Sequence, residues 1–344
     1  MSGALPTGPM GGPGLARRQA TSLAANRFVA ITRPVAPARL PLVVEAQLAD
    51  LSLPAWAADH RDLIERALDE TGAILFRGFV APSAEAFRAF MAAVSSAPMA
   101  YRYGSTPRRE VEPGIYTSTE YPAAETIPLH NEMAYAREWP ARIAFCCRVP
   151  AARGGETPIC DSRAVLAAIP AATRARFEAH GVMYVRHYRP GVDLPWQQVF
   201  GTERRDELAA YCYAQGIEHA WRDDGTLATW QVCQATLAHP RTGAPVWFNQ
   251  AHLFHVSALA PPVRDALLAR YGEQGLPRNA CYGDGAPLTA DDLAAIRAAY
   301  ARERAMFAWR RGDVLLLDNV LAAHGRQPFE GPREVVVAMA DPRP

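Results

Sequence analysis

Two side chains that can bind a metal lie close together in the stretch IPLHNEMAY, residues 127–135. His130 and Glu132 are two positions apart, and the residues around them are mostly apolar. If this stretch is a β-strand, both side chains point to one face, where an imidazole and a carboxylate can bind adjacent positions of one metal ion. A His-x-Glu pair is also common as two polar residues of an edge strand, so the hypothesis requires a third ligand.

His324 is the candidate for that third ligand. It follows the apolar run VLLLD and precedes Gly325, which suits a side chain at the mouth of a strand. Two histidines and one carboxylate form the facial triad of non-haem Fe(II) oxygenases, which leaves coordination positions open for co-substrates. Zinc hydrolases use the same donor types, but the sequence has no HExxH motif of the kind found in those enzymes.

An iron centre of this kind needs a source of two electrons, and an α-keto acid supplies them when its far carboxylate is anchored. Arg333, nine residues after His324, opens a predicted final strand and is suited to a bidentate pair with that carboxylate. Arg326 is nearer to His324 and is the alternative anchor, although the intervening turn would hold it away. Thr157, in the stretch GGETPI, can add a hydroxyl donor to the same carboxylate.

The elements that must position these residues are a set of apolar strands separated by helices. Strand-like patterns occur in GAILFRGF, RIAFCCRV, VMYVRHY, VLLLD and REVVVAM. Helices are predicted over SAEAFRAFMAAVSS, on either side of Pro170 up to Gly181, and in RDELAAYCYAQG, PPVRDALLARYG and TADDLAAIRAAYARERAMF. Because strands and helices do not alternate regularly, the pattern favours a mainly β fold with helical insertions, an antiparallel sandwich or barrel, over a parallel sheet.

The composition is typical of a globular protein, with 49% hydrophobic and 21% charged residues among 344. The net charge is +1 and all 36 basic residues are arginine, so no basic field would attract nucleic acid or an anionic membrane. We expect a flexible tail over residues 1–24 and a single domain over residues 25–344. The tail lacks the apolar segment of a secretory signal, and six scattered cysteines without a C-x-x-C pair indicate reduced thiols of a cytoplasmic protein.

Five ordered blocks of the sequence are LHNEMAY, GGETPICDSR, VWFNQAHLFHVS, LPRNACYGDG and GDVLLLDNVLAAHGRQPFEGPR. Together they resemble the taurine dioxygenase (TauD/TfdA-like) superfamily of Fe(II)/2-oxoglutarate oxygenases, especially its syringomycin-biosynthesis-enzyme-like branch. The resemblance extends from about residue 70 to about residue 340. It implies a double-stranded β-helix (jelly-roll) core, Fe(II) as cofactor, and 2-oxoglutarate and O₂ as co-substrates.

The resemblance also implies individual roles. His130, Glu132 and His324 would bind iron, and Arg333 with Thr157 would bind the far carboxylate of 2-oxoglutarate. The chain departs from the superfamily pattern in having Glu where Asp is commoner, which is similar to the clavaminate synthase-like enzymes and leaves the triad intact. The spacing between His324 and Arg333 is slightly shorter than usual, which keeps Arg326 open as the anchor.

Further polar residues are candidates for binding the substrate. In NQAHLFHVS, His252 and His255 would share a face of a helix but lie on opposite faces of a strand. We interpret Asn249, Gln250 and His252 as lining the substrate or supporting the metal ligands. Two loops before the ligand strand supply the remaining candidates, which would bind the carboxylate and amine of an amino acid: Ser105, Arg108, Ser118 and Glu120.

The resemblance therefore implies an oxygenase that hydroxylates an unactivated C–H bond of an amino acid or a carrier-tethered aminoacyl group in specialised metabolism. Desaturation, cyclisation and epoxidation stay open as outcomes of the same chemistry. Halogenation is disfavoured because Glu132 takes the position that a chloride would need. A zinc hydrolase with the same ligands and a non-catalytic jelly-roll binding module are the more distant alternatives. The substrate, its tethering to a carrier protein and the oligomeric state stay open.

Overall fold

The structure, a computed structural model, describes residues 28–36, 39–100, 103–104, 108–118 and 121–343. The predicted flexible tail over residues 1–24 lies outside this range, as do Ser105 and Glu120. The single domain expected over residues 25–344 stays a prediction.

Strands and helices hold similar numbers of the described residues. The strands are β1 (Val29–Thr32), β2 (Leu42–Ala46), β3 (Ala73–Arg77), β4 (Glu110–Glu112), β5 (Ile115–Thr117), β6 (Ile127–His130), β7 (Trp139–Val149), β8 (Arg153–Gly154), β9 (Ile159–Asp161), β10 (Val182–Tyr188), β11 (Glu218–Trp221), β12 (Leu227–Cys233), β13 (Thr236–Ala238), β14 (Pro245–Trp247), β15 (Arg278–Tyr282), β16 (Val314–Asp318), β17 (Ala322–Arg326), β18 (Phe329–Glu330) and β19 (Glu334–Arg343). The helices are α1 (Leu53–Asp59), α2 (Arg61–Thr71), α3 (Ala84–Val94), α4 (Ser162–Ala168), α5 (Ala171–His180), α6 (Trp196–Phe200), α7 (Arg205–Gln215), α8 (Ala251–Phe254), α9 (Pro261–Tyr271) and α10 (Ala290–Glu303), with 3₁₀ turns at Val256–Ala258 and Glu273–Gly275.

The largest sheet has the strand order β1-β2-β3-β16-β7-β19-β5-β4. Every pair of adjacent strands in it is antiparallel except β2 with β3, which is parallel. The run VLLLD forms the central strand β16, and both of its faces are buried. Leu315 and Leu317 pack into the core on one side, whereas Val314 and Leu316 pack into the core on the other. A strand covered on both faces reads as a continuous apolar run, as this one does.

The two faces of the large sheet have different neighbours. Helices α1, α2 and α3 cover one face through Trp56, Ile64 and Phe90. The other face shares its core with the small sheet β6-β17-β9, represented there by Leu129 and Ile159. A large antiparallel sheet opposed by a smaller one, with helices inserted between strands, is the predicted jelly-roll core, and the prediction is confirmed.

The inserted segments complete the side of the core near the small sheet. A four-stranded sheet of order β11-β12-β10-β15 follows helix α5, and the hairpin β13–β14 leads into α8. The helix pair predicted around Pro170 is present, because α4 ends at Ala168 and α5 ends at His180 before Gly181, which has a positive φ of 69°. Left-handed backbone at that position favours glycine.

The six cysteines are free thiols, and all but Cys281 are buried, as the sequence predicts. Within the described ranges, the helices are too short or too polar for any of them to cross a bilayer.

Candidate active site

The three predicted metal ligands come together on the small sheet. His130 is the last residue of β6 and is paired directly with His324 on the central strand β17. The two imidazole ring centroids are 4.7 Å apart, and His324 Nε2 is 3.7 Å from Glu132 Oε2. One ligand atom from each of the three residues lies within 4.8 Å of the others, and this is the only such group of histidine, cysteine and acidic residues among those described.

Glu132 does not lie on the strand, which corrects the premise that one strand face presents both His130 and Glu132. Strand β6 ends at His130, and Glu132 is in the turn after it. Its backbone is held by Asn319, whose Oδ1 accepts from Glu132 N at 2.7 Å and whose Nδ2 donates to Glu132 O at 2.9 Å. Asn319 Nδ2 also donates to Pro140 O at 2.8 Å, so a wholly buried amide fixes the turn. The carboxylate faces the histidines because of this clamp rather than because of strand periodicity.

The protonation states suit a divalent cation. Burial and the neighbouring His324 lower the pKa of His130 to about 4, so this imidazole is neutral at neutral pH. Because Pro128 O can only accept, the 2.8 Å contact means that His130 Nδ1 carries the proton and Nε2 keeps its lone pair. Burial raises the pKa of Glu132, but Arg108 and the two histidines lower it further, so its pKa lies well below the ordinary value. Arg108 Nη2 donates to Glu132 Oε2 at 2.7 Å, with both side chains buried.

A narrow cavity next to the ligands contains the predicted 2-oxoglutarate residues. Its lining includes His130, His324, Thr157, Arg326 and Arg333. The cavity measures about 30 Å³, and it adjoins a larger cavity with which it shares His130. Three arginines, of which Arg108 is paired with Glu132, and no carboxylate among the described lining residues make this a positively charged recess. Such a recess fits an organic anion that extends from the metal.

Arg326 and Arg333 differ in what they contact. Arg326 donates from Nη1 and Nη2 to three backbone carbonyls, those of Tyr121 at 2.9 Å, Pro122 at 2.6 Å and Glu125 at 2.8 Å. Its terminal nitrogens therefore already hold a loop.

Arg333 donates only Nε, to Gly155 O at 3.1 Å, and it forms no ion pair with the described part of the chain. Its guanidinium lies 5.5 Å from the centre of the Phe329 ring. Gly155, with a φ of 73°, leaves the space that this side chain uses, because a Cβ there would be 3.0 Å from Arg333 Cδ. Burial and the charge of Arg326 lower the pKa of Arg333 to about 10, so the group stays positive at neutral pH without a counter-ion from the described residues.

Thr157 is buried and accepts a hydrogen bond from Trp309 Nε1 at 3.0 Å. The contact leaves its hydroxyl proton available for an acceptor in the recess.

A second cavity, of about 540 Å³, opens on the other side of the ligands. Its lining contains His130, Glu132 and Arg108 together with the ion pair of Asp193 and Arg278. The remaining lining is mostly apolar: Val192, Leu194, Leu253, Phe254, Val256, Leu259, Val263, Leu267 and Pro277. A concave, mostly apolar site with a few charged groups has the character of a small-molecule binding pocket.

Comparison with known proteins decides the family. The model of the family described as "Taurine catabolism dioxygenase TauD, TfdA family" matches residues 32–339. The chain belongs to this family. It is accordingly a 2-oxoglutarate-dependent non-haem iron dioxygenase that uses Fe(II), 2-oxoglutarate and O₂. The zinc hydrolase and the non-catalytic binding module are thereby set aside.

The TauD/TfdA assignment agrees with individual relatives. The chain is 42% identical over 300 residues to the dapdiamide synthesis protein DdaC of Enterobacter agglomerans, covering 87% of this chain and 91% of that protein. It is 29% identical over 323 residues to a clavaminate synthase-like protein of Arabidopsis thaliana, covering 87% and 93%. Among solved structures, PvcB, an Fe, alpha-ketoglutarate dependent oxygenase from an isonitrile synthetic pathway, has a TM-score of 0.55 at 15% identity and covers 93% and 94%, a likeness of fold.

The donor set fits the iron of this family. Two imidazoles and one carboxylate, converging from a strand pair and the adjacent turn, are the donor types of the facial triad. His324 Nδ1 is buried without a hydrogen-bond partner among the described residues, and its Nε2 points toward Glu132. The observed chemistry of the three side chains therefore matches a divalent iron site.

The predicted substrate residues divide into three groups. Arg108 lines both cavities but bonds the ligand Glu132, and Ser118 lines the narrow cavity. The structure does not bring Asn249 or His252 to either cavity lining. Asn249 is buried and bonds backbone groups, and His252 Nε2 bonds Leu129 O at 3.1 Å behind the ligand strand. Ser105 and Glu120 lie outside the described residues.

Residues that were not predicted to bind the substrate take part in the larger cavity. His255 lines it while its Nδ1 bonds Ser257 Oγ at 2.8 Å; helix α8 ends at Phe254 and His255 has extended backbone, so His255 does not share a helix face with the buried His252. Asp193 and Arg278 come from a loop and from β15, 85 residues apart in the chain. Of Asn249, Gln250 and His252, which were interpreted together, only Gln250 lines this cavity. An ion pair between remote segments leaves no local signal in a single sequence.

Proposed function

We propose that this dioxygenase hydroxylates an unactivated C–H bond of an amino acid or of a carrier-tethered aminoacyl group in specialised metabolism. His130, Glu132 and His324 hold Fe(II), and Arg333 with Thr157 binds the far carboxylate of 2-oxoglutarate. The observation that carries the proposal is the convergence of the three ligand atoms within 4.8 Å, on the wall shared by an anion-binding recess and a larger cavity.

The nature of the substrate is supported by the charges of the larger cavity. Arg108, Asp193 and Arg278 offer both signs of charge, as the carboxylate and amine of an amino acid require, within an otherwise apolar lining. The 42% identity to a protein of dapdiamide synthesis supports a biosynthetic setting. Nothing in the charge of the chain, +1 overall, favours a nucleic acid as substrate.

Each residue of the site contributes binding or orientation. Iron with bound 2-oxoglutarate and O₂ supplies the oxidising chemistry. Arg333 supplies a fixed positive charge that orients the keto acid, and Asn319 holds the turn that aims the Glu132 carboxylate. The positive charge of Arg108 forms an ion pair with Glu132 and lowers its pKa, which keeps this carboxylate ionised and in place. The apolar side chains of the larger cavity exclude water from the C–H bond that reacts.

Desaturation, cyclisation and epoxidation are alternatives within the same cofactor chemistry. They share the ligand set and the keto-acid anchor, and they differ in the fate of the substrate after a hydrogen atom has been abstracted from it. The mass of the product separates hydroxylation from desaturation, because hydroxylation adds one oxygen atom and desaturation removes two hydrogens.

The first experiment is an anaerobic absorbance titration of metal-free protein with Fe(II) and 2-oxoglutarate. We expect a weak visible charge-transfer band that requires both components and is absent in His324→Ala. His219→Ala changes a histidine of β11, remote from the site in the fold, and should leave the band unchanged. Absence of the band in the wild-type protein would refute the proposed site.

The substrate class is tested next, by measuring succinate release with free amino acids and with aminoacylated carrier proteins. A substrate of the proposed kind should increase succinate release and should appear as a product heavier by one oxygen. A chain that forms the band but responds only to compounds lacking amino-acid character would contradict the proposed substrate and leave the cofactor site standing.

A further inference from the structure

Two arginines lie side by side on the inner face of the four-stranded sheet. Arg186 of β10 is paired directly with Arg278 of β15 in the antiparallel register, so both side chains leave the same face. Arg278 lines the larger cavity, and Arg186 is 1% exposed. Like charges directly opposite each other in a sheet are destabilising, and some other group must offset their repulsion.

Among the described residues, a single carboxylate, that of Asp193, offsets the repulsion between the two arginines. Asp193 accepts from Nε and Nη2 of Arg278, and its Oδ1 also accepts from Leu194 N at 2.7 Å. Burial raises the pKa of Asp193, but the hydrogen bonds and charge of Arg278 and the nearby charge of Arg186 lower it below its ordinary value. Two guanidinium groups thus share one carboxylate, and the cluster carries one excess positive charge.

The buried arginine lacks hydrogen bonds to the described part of the chain. Nε, Nη1 and Nη2 of Arg186 are all without a partner there. The rings of Tyr103 and Tyr188 lie 5.6 and 4.8 Å from the Arg186 guanidinium carbon. Such cation–π contacts offset part of the cost of burying the charge, but they supply no acceptor and no negative charge. A buried cation without a counter-ion is unfavourable, so the cluster is suited to receive an anion.

We propose that Arg278, oriented by Asp193 and reinforced by the charge of Arg186, is a second carboxylate-binding subsite, for the substrate rather than for 2-oxoglutarate. Arg278 Nη1 makes no hydrogen bond to the part of the chain that the structure describes and is the donor for this group. The compound bound here is a carboxylate with an apolar body, because the rest of the cavity lining is mostly apolar. This inference rests on the proposed function and specifies its substrate.

The test compares phenylbutyrate with phenylbutyramide, which have the same apolar body and differ in charge. Calorimetric titrations are made into protein loaded anaerobically with Mn(II) and saturating 2-oxoglutarate, so that the Arg333 recess is filled. We expect the carboxylate to bind roughly tenfold more tightly than the amide, as a charge-assisted contact requires. Arg278→Gln should abolish this preference. Arg264→Gln, which changes a partly exposed arginine of α9 paired with its neighbour Asp265, should not.

Loss of Arg278 alone leaves Asp193 without its partner, and the variant could misfold for that reason. The double variant Asp193→Asn/Arg278→Gln removes both charges and keeps hydrogen-bonding groups at both positions, and it should also lose the preference. A wild-type protein that binds both probes equally, or neither, would overturn the subsite, as would a preference that persists in the double variant. The Fe(II)/2-oxoglutarate band distinguishes failure of this subsite from failure of the proposed cofactor site, because only the cofactor site is refuted when the band is absent.

Discussion

Replacing Arg333 by Gln should weaken 2-oxoglutarate binding without unfolding the protein. The side chain gives one hydrogen bond to the chain, from Nε to Gly155 O, and its terminal nitrogens have no acceptor in the described structure. Glutamine keeps an amide near that carbonyl, so the free energy of unfolding should change little. The charge-assisted pair with the keto acid is lost, at a cost of about 1.5–3 kcal/mol, which is roughly a 10- to 150-fold higher Kd.

The upper part of that range is limited by Arg326, whose charge remains beside the recess and retains part of the attraction for the anion. Arg326→Gln is therefore the matched variant, and its expected effect is the reverse. It removes the guanidinium group that donates hydrogen bonds to Tyr121 O, Pro122 O and Glu125 O, and glutamine can replace few of these bonds. At about 0.5–1.5 kcal/mol for each lost bond, we expect a clear fall in Tm and a smaller change in the Kd of 2-oxoglutarate.

The assay is the anaerobic Fe(II)/2-oxoglutarate absorbance titration for the Kd and circular dichroism for Tm. Arg326→Gln raising the Kd more than Arg333→Gln would refute the reasoning and make Arg326 the anchor. Equal Kd values in the wild type and both variants would mean that neither arginine binds the keto acid.

Three further predictions concern neighbouring groups. Asn319→Asp places an acceptor against the carbonyl of Glu132 and should lower Mn(II) affinity by calorimetry roughly 10- to 100-fold, with an unchanged far-ultraviolet spectrum; unchanged affinity would contradict the clamp. Thr157→Val removes the hydroxyl and should raise the Kd of 2-oxoglutarate by roughly 2- to 12-fold, and a lower Kd would exclude it as a donor. Burial raises the pKa of Cys146 and Cys147 to about 12, so iodoacetamide should label them slowly in native protein near neutral pH and quickly after unfolding; rapid native labelling, read by mass spectrometry, would contradict this.

The core strands could be predicted from sequence because their burial is visible in the local pattern of apolar residues. Strand β16 is buried on both faces and is an unbroken apolar run, and β3 and β7 follow similar patterns. The helix pair around Pro170 could be predicted equally well, since proline and glycine restrict or relax the backbone at their own positions. Such signals depend on neighbours in the chain, and no tertiary information is needed to interpret them.

The position of Glu132 beside the two histidines could not be predicted from local pattern. A His-x-Glu pair on one strand and the same pair across the end of a strand have identical sequences. The arrangement depends on Asn319, which is 187 residues away and bonds both sides of the Glu132 backbone. The three side chains singled out by residue type do come together in the structure, whereas their geometry depends on a contact between remote segments, and their role as iron ligands stays a prediction.

The choice between Arg326 and Arg333 likewise depends on contacts between remote segments and not on residue type. Both come after His324 in the chain, both line the narrow cavity, and both have the same charge, so spacing alone cannot rank them. The terminal nitrogens of Arg326 donate to three backbone carbonyls in residues 121–125. The terminal nitrogens of Arg333 have no acceptor in the described structure. A guanidinium that already holds a loop must break those bonds to bind a ligand, but one without acceptors gains them. Arg333 is therefore the stronger candidate, and at the larger cavity the same reasoning applies to Arg278 Nη1, the nitrogen of that guanidinium that Asp193 does not engage.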